Sequence, residues 1–328
     1  MRTRLHCLVC SLLLLSFYEC CAQKHIAANK KEVVIVVEPH ANPRIEFGAS
    51  RLLQALEASG YRSELVHQNK QPVGKRSIVV GTEHSSLVAA VSDKRGMYLP
   101  ENKPKEGFTI GSVPNGNLFV SGTDYSGALY GCLELADRIK QSGKLPDSIS
   151  FSDAPQMVLR GECIGLQKST YLPGRKVYEY PYTPQTFPWF YDKVLWVRVL
   201  DSMVENRMNS LYLWNGHPFA SLVRLKDYPY AVEVDDSTFR KNEEVFSFLT
   251  KEADKRGIWV IQMFYNIIVS KPFAEHNGLV TQDRNRHIIP IIADYTRKSI
   301  AAFVEKYPNV GLMCALGEAM EGVGQDDI

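Results

Sequence analysis

The feature that most constrains the fold is a regular alternation of apolar runs and helical segments in the second half of the chain. Four apolar runs have the length and composition of buried strands, and the segments between them carry apolar residues at helical spacing. Because strand–helix–strand units join by right-handed crossovers, the alternation predicts a parallel sheet covered by helices. The predicted strands are Val158–Leu166, Ser210–Trp214, Ile258–Phe264 and Val310–Leu316, and the predicted helices are Trp189–Arg207, Phe239–Arg256 and Tyr295–Tyr307.

The connections before and after these strands differ in length. The turns that lead into the strands are tight, whereas the connections that follow them are long and rich in polar and aromatic residues, above all Tyr171–Phe187. This asymmetry is typical of a (β/α)8 barrel, which carries function at the carboxyl ends of its strands. An open doubly wound sheet is the alternative, but it would carry a glycine-rich first βα turn, and none is present. The predicted class is α/β, with a partial (β/α)8 barrel over residues 151–328.

A smaller α+β domain is predicted over residues 32–150. Val33–Val37 has the composition of a buried strand, and Ser126–Ile139 has the periodicity of an amphipathic helix. Pro114–Gly116 predicts a hairpin turn, and a boundary follows near Pro155. The acidic residues of this domain form no catalytic cluster, so we expect them to be solvated surface charges.

The amino-terminal residues have the pattern of an export signal. Two arginines precede an apolar core at Leu8–Phe17, and small residues allow cleavage after Ala22. The apolar core is too short for a transmembrane helix. We therefore expect a signal peptide over 1–22, a polar spacer over 23–31, and a secreted or periplasmic protein. A lipoprotein signal is disfavoured because Glu19 precedes Cys20.

Charge and cysteine content exclude several kinds of partner. The formal net charge is +2 and the basic residues are scattered, which argues against nucleic acid binding. Outside the signal, Cys132, Cys163 and Cys314 lie far apart in apolar contexts, so we predict buried thiols and no disulfide framework or metal site. No cofactor is expected.

Polar and aromatic residues gather at the predicted strand ends. Aromatic faces stack on sugar rings and amides bind hydroxyl groups, so this composition predicts a carbohydrate substrate. Glu318, two residues past the fourth strand, is the candidate general acid for glycosidic cleavage. The predicted substrate-binding residues are Arg160, Glu162, Trp214, Asn215, His217, Tyr265 and Asn266.

Each of these assignments has a structural alternative. Glu318 could cap a following helix, and Glu321 is a solvated helix residue or a weaker competitor for the acid role. His217 could be a structural hydrogen-bonding group. Arg160 and Glu162 could form an ion pair inside the barrel, which we favour over direct substrate contact.

Several segments resemble the α-glucuronidases, a glycoside hydrolase family. Phe119–Ile139 resembles the end of the small domain that α-glucuronidases share with β-N-acetylhexosaminidases, and Glu205–Phe219 and Arg256–Asn266 are similar to barrel passages of the α-glucuronidases. Asn309–Gly322 is similar to their fourth strand, which implies the general acid role for Glu318. In that family a lysine precedes the acid, and this lysine binds the carboxylate of the sugar. This chain has Cys314 and Ala315 at that place. A hexosaminidase would carry an Asp-Glu pair there, which is also absent.

The barrel region spans about 170 residues, against about 250 for a complete barrel. We therefore expect a fragment whose second catalytic carboxylate lies beyond Ile328. The leading hypothesis is a secreted α-glucuronidase-like glycoside hydrolase. The alternatives are an inactive carbohydrate-binding relative, a hexosaminidase-like enzyme, and a structural module whose aromatic loop docks a partner.

Overall fold

The computed structural model describes residues 31–92, 104–113, 116–170, 172–173, 180–283, 287 and 289–316. Within these ranges the chain forms two β-sheets, one of six strands and one of four, with helices packed on them. The strands are β1 Glu32–Val37, β2 Arg62–His67, β3 Ser77–Thr82, β4 Phe108–Ser112, β5 Leu118–Gly122, β6 Ser150–Asp153, β7 Gly161–Gly165, β8 Ser210–Trp214, β9 Trp259–Tyr265 and β10 Val310–Ala315. The helices are α1 Pro43–Ala58, α2 Ser86–Ser92, α3 Tyr125–Ser142, α4 Lys193–Glu205, α5 Phe219–Leu222, α6 Asp236–Lys255, α7 Lys271–His276 and α8 Pro290–Lys306.

The first sheet has the order β2-β1-β3-β5-β4-β6, with β4 antiparallel to both of its neighbours. The helices α1 and α3 pack against each other on one face. Asn42 and Asp124 cap their amino ends, because each side chain accepts a backbone N–H of the first turn. Strand β6 was not predicted: it is short, polar and largely exposed, and its residues were assigned to the boundary region. The first sheet therefore extends to Asp153, past the predicted domain end at residue 150 and just before the boundary predicted near Pro155.

The second sheet has the order β10-β9-β8-β7, and all of its pairs are parallel. Strands that neighbour each other in chain order, with helices between them, are the arrangement of a (β/α)8 barrel. A doubly wound sheet would instead reverse its strand order at a switch point. The predicted fold class, a partial barrel after a small α/β domain, is confirmed, and the described strands form an open sheet that does not close.

The register of the second sheet separates its helix-covered face from its concave face. Leu211 pairs with Glu162 and Val260, and Leu211 and Val260 lie in the apolar core beneath the helices. Trp214, three positions further along β8, projects from the opposite face. It pairs with Gly165 and Met263, so this concave face is the one that would line a barrel interior.

The turns that lead into the second sheet are as tight as predicted. Arg207, Gly257 and Asn309 adopt left-handed backbone conformations, with φ angles of 59°, 68° and 57°. Such residues commonly end helices, because the left-handed turn satisfies the last free carbonyl groups. Each helix therefore stops within a few residues of the next strand, and the long connections remain at the carboxyl ends.

The cysteine prediction is correct for one residue of three. Cys132 is fully buried in α3, but Cys163 and Cys314 are exposed. Cys163 lies between Gly161 and Gly165 on the concave face of β7, where the described residues give it little cover. In the described part of the chain, no helix is both long enough and apolar enough to cross a membrane.

Candidate functional site

The candidate site is the carboxyl edge of the second sheet. Trp214 is the last residue of β8 and Tyr265 is the last residue of β9. Because all four strands are parallel, their carboxyl ends meet along a single edge. Tyr265 pairs with Ala315 at the end of β10, and its backbone N–H donates to the Gly216 carbonyl at 2.9 Å. The structure thus brings the predicted strand-end residues of β8 and β9 together.

Two polar atoms at this edge are buried without a hydrogen-bond partner among the described residues. They are the indole Nε1 of Trp214 and the side-chain Oδ1 of Asn266. Buried polar atoms are nearly always paired in folded proteins, so each such exception calls for an explanation. One unpaired donor and one unpaired acceptor on adjacent strand ends would suit hydroxyl groups of a sugar, which both donate and accept.

Asn215 makes hydrogen bonds within the protein at the start of the loop after β8. Its Nδ2 donates to the carbonyl oxygens of Leu166 at 2.7 Å and Tyr180 at 3.2 Å, and its Oδ1 accepts the His217 N–H at 2.9 Å. The side chain is 1% exposed. These bonds use both of its N–H donors within the protein, so the observed bonds of Asn215 are structural, and its assignment as a sugar ligand stays a prediction. Asn215 holds the loop after β7 against the end of β8.

His217 belongs to a half-buried hydrogen-bond network beside the edge. Its Nε2 lies 2.8 Å from the hydroxyl of Tyr295, which donates to Ser270 Oγ at 3.3 Å. Burial raises the pKa of the Tyr295 hydroxyl well above its usual value, so it stays protonated. This geometry supports the structural alternative for His217, since one ring nitrogen is already bonded within the protein.

Arg160 and Glu162 do not lie at the candidate site. Arg160 precedes β7, at the opposite edge of the sheet, and its guanidinium contacts Glu106 Oε2 of the first domain at 2.7 Å. Glu162 shares the helix-side register of Leu211, not the concave face. The ion-pair partner of Arg160 is therefore Glu106 and not Glu162, while the substrate contact of both residues stays a prediction. Successive side chains of β7 point to opposite faces of the sheet. The sequence did not reveal that the first domain supplies the ion-pair partner of Arg160.

The predicted acid Glu318 and its competitor Glu321 lie outside the described residues, as do parts of the Tyr171–Phe187 loop. The structure describes β10 up to Ala315 and the following Leu316. β10 pairs in register with β9 along its whole length, so β10 ends at the candidate edge. The role of Glu318 stays a prediction.

Lys168 is a residue at this edge that the sequence analysis missed. Leu166 donates its backbone N–H to the Trp214 carbonyl at 2.7 Å, and Lys168 lies two residues after it. Its Nζ lies 5.6 Å from the ring centroid of Tyr180 and 5.9 Å from that of Phe187. A lysine just past a predicted strand end was the available signal, but only the folded loop shows the aromatic rings beneath it.

The edge thus combines aromatic surface, an unpaired donor, an unpaired acceptor and a cation, which suits a polar ring-shaped ligand. Over the described ranges, no three His, Cys, Asp or Glu side chains are grouped in a way that could hold a metal ion.

No known family profile matches the sequence, and no curated protein is significantly similar to it. Among solved structures, the chain is similar to a GH138 enzyme targeting pectin rhamnogalacturonan II, with 58% sequence identity and a TM-score of 0.75. The similarity covers 88% of this chain and 31% of that chain. This chain therefore spans less than a third of the length of that enzyme.

Two further solved structures are similar to the chain at low identity. CpGH84D is 14% identical with a TM-score of 0.52, over 86% of this chain and 40% of that one. A GH115 4-O-methyl-α-glucuronidase with specificity for decorated arabinogalactans is 16% identical with a TM-score of 0.49, over 90% of this chain and 36% of that one. The chain is similar to the GH138 enzyme and to CpGH84D, and its strand order is that of a partial barrel. We conclude that this chain has a glycoside hydrolase fold.

Proposed function

We propose that this chain is part of an exported glycoside hydrolase that cleaves a pectic polysaccharide, with Glu318 as the general acid. The observation that carries the proposal is the 58% identity, over 88% of this chain, to an enzyme that targets pectin rhamnogalacturonan II. The polar and aromatic groups at the carboxyl edge support it, because catalytic groups of α/β barrels lie at that edge.

Glycosidic cleavage requires a proton for the departing oxygen. A carboxylic acid beside apolar walls can hold that proton near neutral pH, because burial disfavours the carboxylate. Glu318 follows the strand end Ala315 by three residues, and the aromatic side chains of Trp214 and Tyr265 end the neighbouring strands. A second carboxylate is needed as base or nucleophile.

An acidic sugar is the proposed substrate, in line with the α-glucuronidase resemblance. The lysine of that family has no counterpart in β10, since Cys314 shares the helix-side register of Phe264 and Ala315 has no charge. Recognition of a sugar carboxylate would therefore need a cation from another strand end. A hexosaminidase-like activity has less support, because Gly317-Glu318 stands where an Asp-Glu pair is expected.

The test is turnover of a panel of pectic oligosaccharides by the full-length protein and by Glu318→Gln. We expect the variant to lose about a hundredfold to ten-thousandfold in kcat, the usual contribution of general acid catalysis. Glu321→Gln is the matched control, with a neighbouring carboxylate removed, and we expect it to retain turnover. Equal turnover by Glu318→Gln and the unmodified protein would refute the assignment of the acid.

The same experiment separates the enzyme from an inactive carbohydrate-binding relative. The unpaired polar atoms of Trp214 and Asn266 favour sugar binding whether or not cleavage follows. Binding of pectic oligosaccharides without turnover by the full-length protein would therefore replace the hydrolase proposal with a binding function.

A further inference from the structure

We propose that Lys168 is the residue that recognises the carboxylate of the acidic sugar, and thereby sets specificity for uronate-containing glycans. The inference rests on the proposed function, which it makes more specific. It starts from the position of Lys168 at the candidate edge and from the lack of a cation in β10.

The backbone around Lys168 is fixed to the end of β8. Leu166, two residues earlier, donates its N–H to the carbonyl of Trp214 at 2.7 Å, and Asn215 Nδ2 donates to the Leu166 carbonyl at 2.7 Å. The same Nδ2 reaches the Tyr180 carbonyl at 3.2 Å. The buried Asn215 thus anchors Leu166 and Tyr180 at the end of β8. Lys168 lies two residues after Leu166 in the chain.

The side chain of Lys168 lies over an ordered aromatic surface. Tyr180 is 8% exposed and Phe187 is 3% exposed, and their ring centroids are 6.4 Å apart in an edge-to-face arrangement. The Tyr180 hydroxyl donates to the Thr170 carbonyl at 2.8 Å, which fixes the ring. A cation over aromatic rings keeps its favourable position without a carboxylate partner. These ring contacts favour one position of the ammonium group and, among the described residues, leave its N–H donors to a ligand.

The charge of Lys168 is not neutralised by any described carboxylate, in contrast with other lysines of the second domain. Lys298 contacts Asp294 at 2.7 Å, and Lys306 contacts Glu243. Lys168 is itself exposed, and no described carboxylate lies within ion-pair distance of it. An exposed ammonium and a buried, unpaired indole N–H lie at the carboxyl ends of adjacent strands, β7 and β8, and would offer a sugar carboxylate one charged donor and one neutral donor.

The experiment compares an acidic pectic oligosaccharide with its carboxyl-reduced, neutral counterpart in the full-length protein. We expect Lys168→Met to lower kcat/KM for the acidic substrate about tenfold to a hundredfold, the usual range for a hydrogen bond to a charged group. The neutral counterpart should change less than about threefold, within the range of a surface substitution. Lys168→Arg should retain much of the preference, because it keeps the charge.

Lys226→Met is the matched control. Lys226 is an exposed lysine in the connection that follows β8, on the same side of the sheet, and it lies over none of the aromatic rings that Lys168 contacts. We expect this variant to leave the preference for the acidic substrate unchanged. Equal losses on both substrates in Lys168→Met, or no loss on either, would overturn the inference.

Binding of the two oligosaccharides to Glu318→Gln is measured by calorimetry, separately from turnover. If the acidic oligosaccharide binds more tightly, and Lys168→Met in that background removes the difference, the inference holds even where the unmodified protein shows no turnover. Carboxylate-dependent binding through Lys168, together with no turnover by the unmodified protein, would overturn the proposed hydrolase function and leave the inference about Lys168 standing. Turnover of both oligosaccharides with no dependence on Lys168 would overturn the inference alone.

Discussion

The two edges of the four-stranded sheet differ in how completely their polar groups are paired. At the amino edge, Glu106 of the first domain accepts from Arg160 at 2.7 Å and from Asn209 Nδ2 at 3.1 Å. At the carboxyl edge, Trp214 Nε1 and Asn266 Oδ1 are buried without partners. The comparison shows that one edge uses its polar groups to hold the two domains together, while the other leaves two of them unpaired among the described residues.

The amino edge continues into a larger polar interface between the domains. Arg44 of α1 contacts Asp254 of α6 at 2.7 Å. Asp201 of α4 accepts from both Arg51 of α1 and Arg256, at 2.6 Å and 2.7 Å. Several charges that share partners form a network, which is more stabilising than isolated surface pairs. The first domain therefore supports the sheet from the edge opposite to the candidate site.

The largest expected effect is at the amino edge. Glu106→Ala would leave the mostly buried Arg160 without its carboxylate and would remove an acceptor of Asn209. We expect the free energy of unfolding to fall by about 3 kcal/mol, the usual cost of breaking a buried ion pair. Chemical denaturation measures it.

The control for that variant is Glu32→Ala. It removes an exposed ion pair between Glu32 and Arg62, whose charged atoms are 3.5 Å apart, and should lower the free energy of unfolding by well under about 1 kcal/mol. Affinity for oligosaccharide should stay unchanged in Glu106→Ala at temperatures where the protein is folded. A selective loss of affinity with no loss of stability would contradict the division between the two edges.

A smaller effect is expected at the carboxyl edge. Trp214→Phe keeps an aromatic face but removes the indole N–H, which has no described acceptor. We expect the affinity for a pectic oligosaccharide to fall about threefold to tenfold, the range for one neutral hydrogen bond, with little change in stability. Calorimetric titration measures the affinity.

Trp196→Phe is the matched substitution in the core. Trp196 Nε1 donates to the Phe190 carbonyl at 2.7 Å, so its loss leaves a buried acceptor unpaired. We expect Trp196→Phe to lower stability by about 1 to 3 kcal/mol and to leave affinity unchanged. The opposite result, lost stability for Trp214→Phe and lost affinity for Trp196→Phe, would refute the comparison.

The smallest expected effect concerns pH. Burial tends to raise the pKa of Asp201, but hydrogen bonds from Arg51 and Arg256 outweigh it and hold the pKa below the usual value. A carboxyl group whose pKa is lowered by folding stabilises the protein above its unfolded pKa of about 4, and this contribution is lost as the pH falls further. Asp201→Asn should therefore be less stable than the unmodified protein at pH 7, by about 1 kcal/mol.

The measurement is denaturation of both proteins at a series of pH values from 7 to about 2.5. We expect the difference between them to shrink as the pH falls below about 4, since both then lack the charge at this position. A difference that stays constant over the whole series would show that Asp201 contributes through packing and not through its charge.

The barrel strands could be predicted because their signal is local. Ser210–Trp214 was predicted with the observed bounds, and Val310–Leu316 was one residue too long. Apolar runs between tight turns leave few alternatives for such segments. Strand β6 was missed because it is short and mostly exposed, and it exists through its pairing with β4.

The site was predicted less completely, because its residues act through partners that are distant in sequence. Asn215 bonds carbonyl groups 49 and 35 residues away, and Glu106 bonds Asn209 across 103 residues. From residue type alone, Asn215 is predicted to bind substrate and Glu106 to be a solvated surface charge. Residue type alone could not show which backbone and side-chain groups the fold places near each of them.

The sequence by itself determined the class of the fold, the order of its strands and the edge where polar groups would gather. It could do so because periodic burial and turn residues act over short stretches of chain. The tertiary structure decided which of those polar groups are already paired. Arg160 and Asn215 are bound within the protein. Among the described residues, Trp214 Nε1 has no partner, and Lys168 lies over two rings with no carboxylate at ion-pair distance. Hydrogen-bond satisfaction depends on groups from the whole chain, so only the folded arrangement separates the structural residues from the candidates for binding.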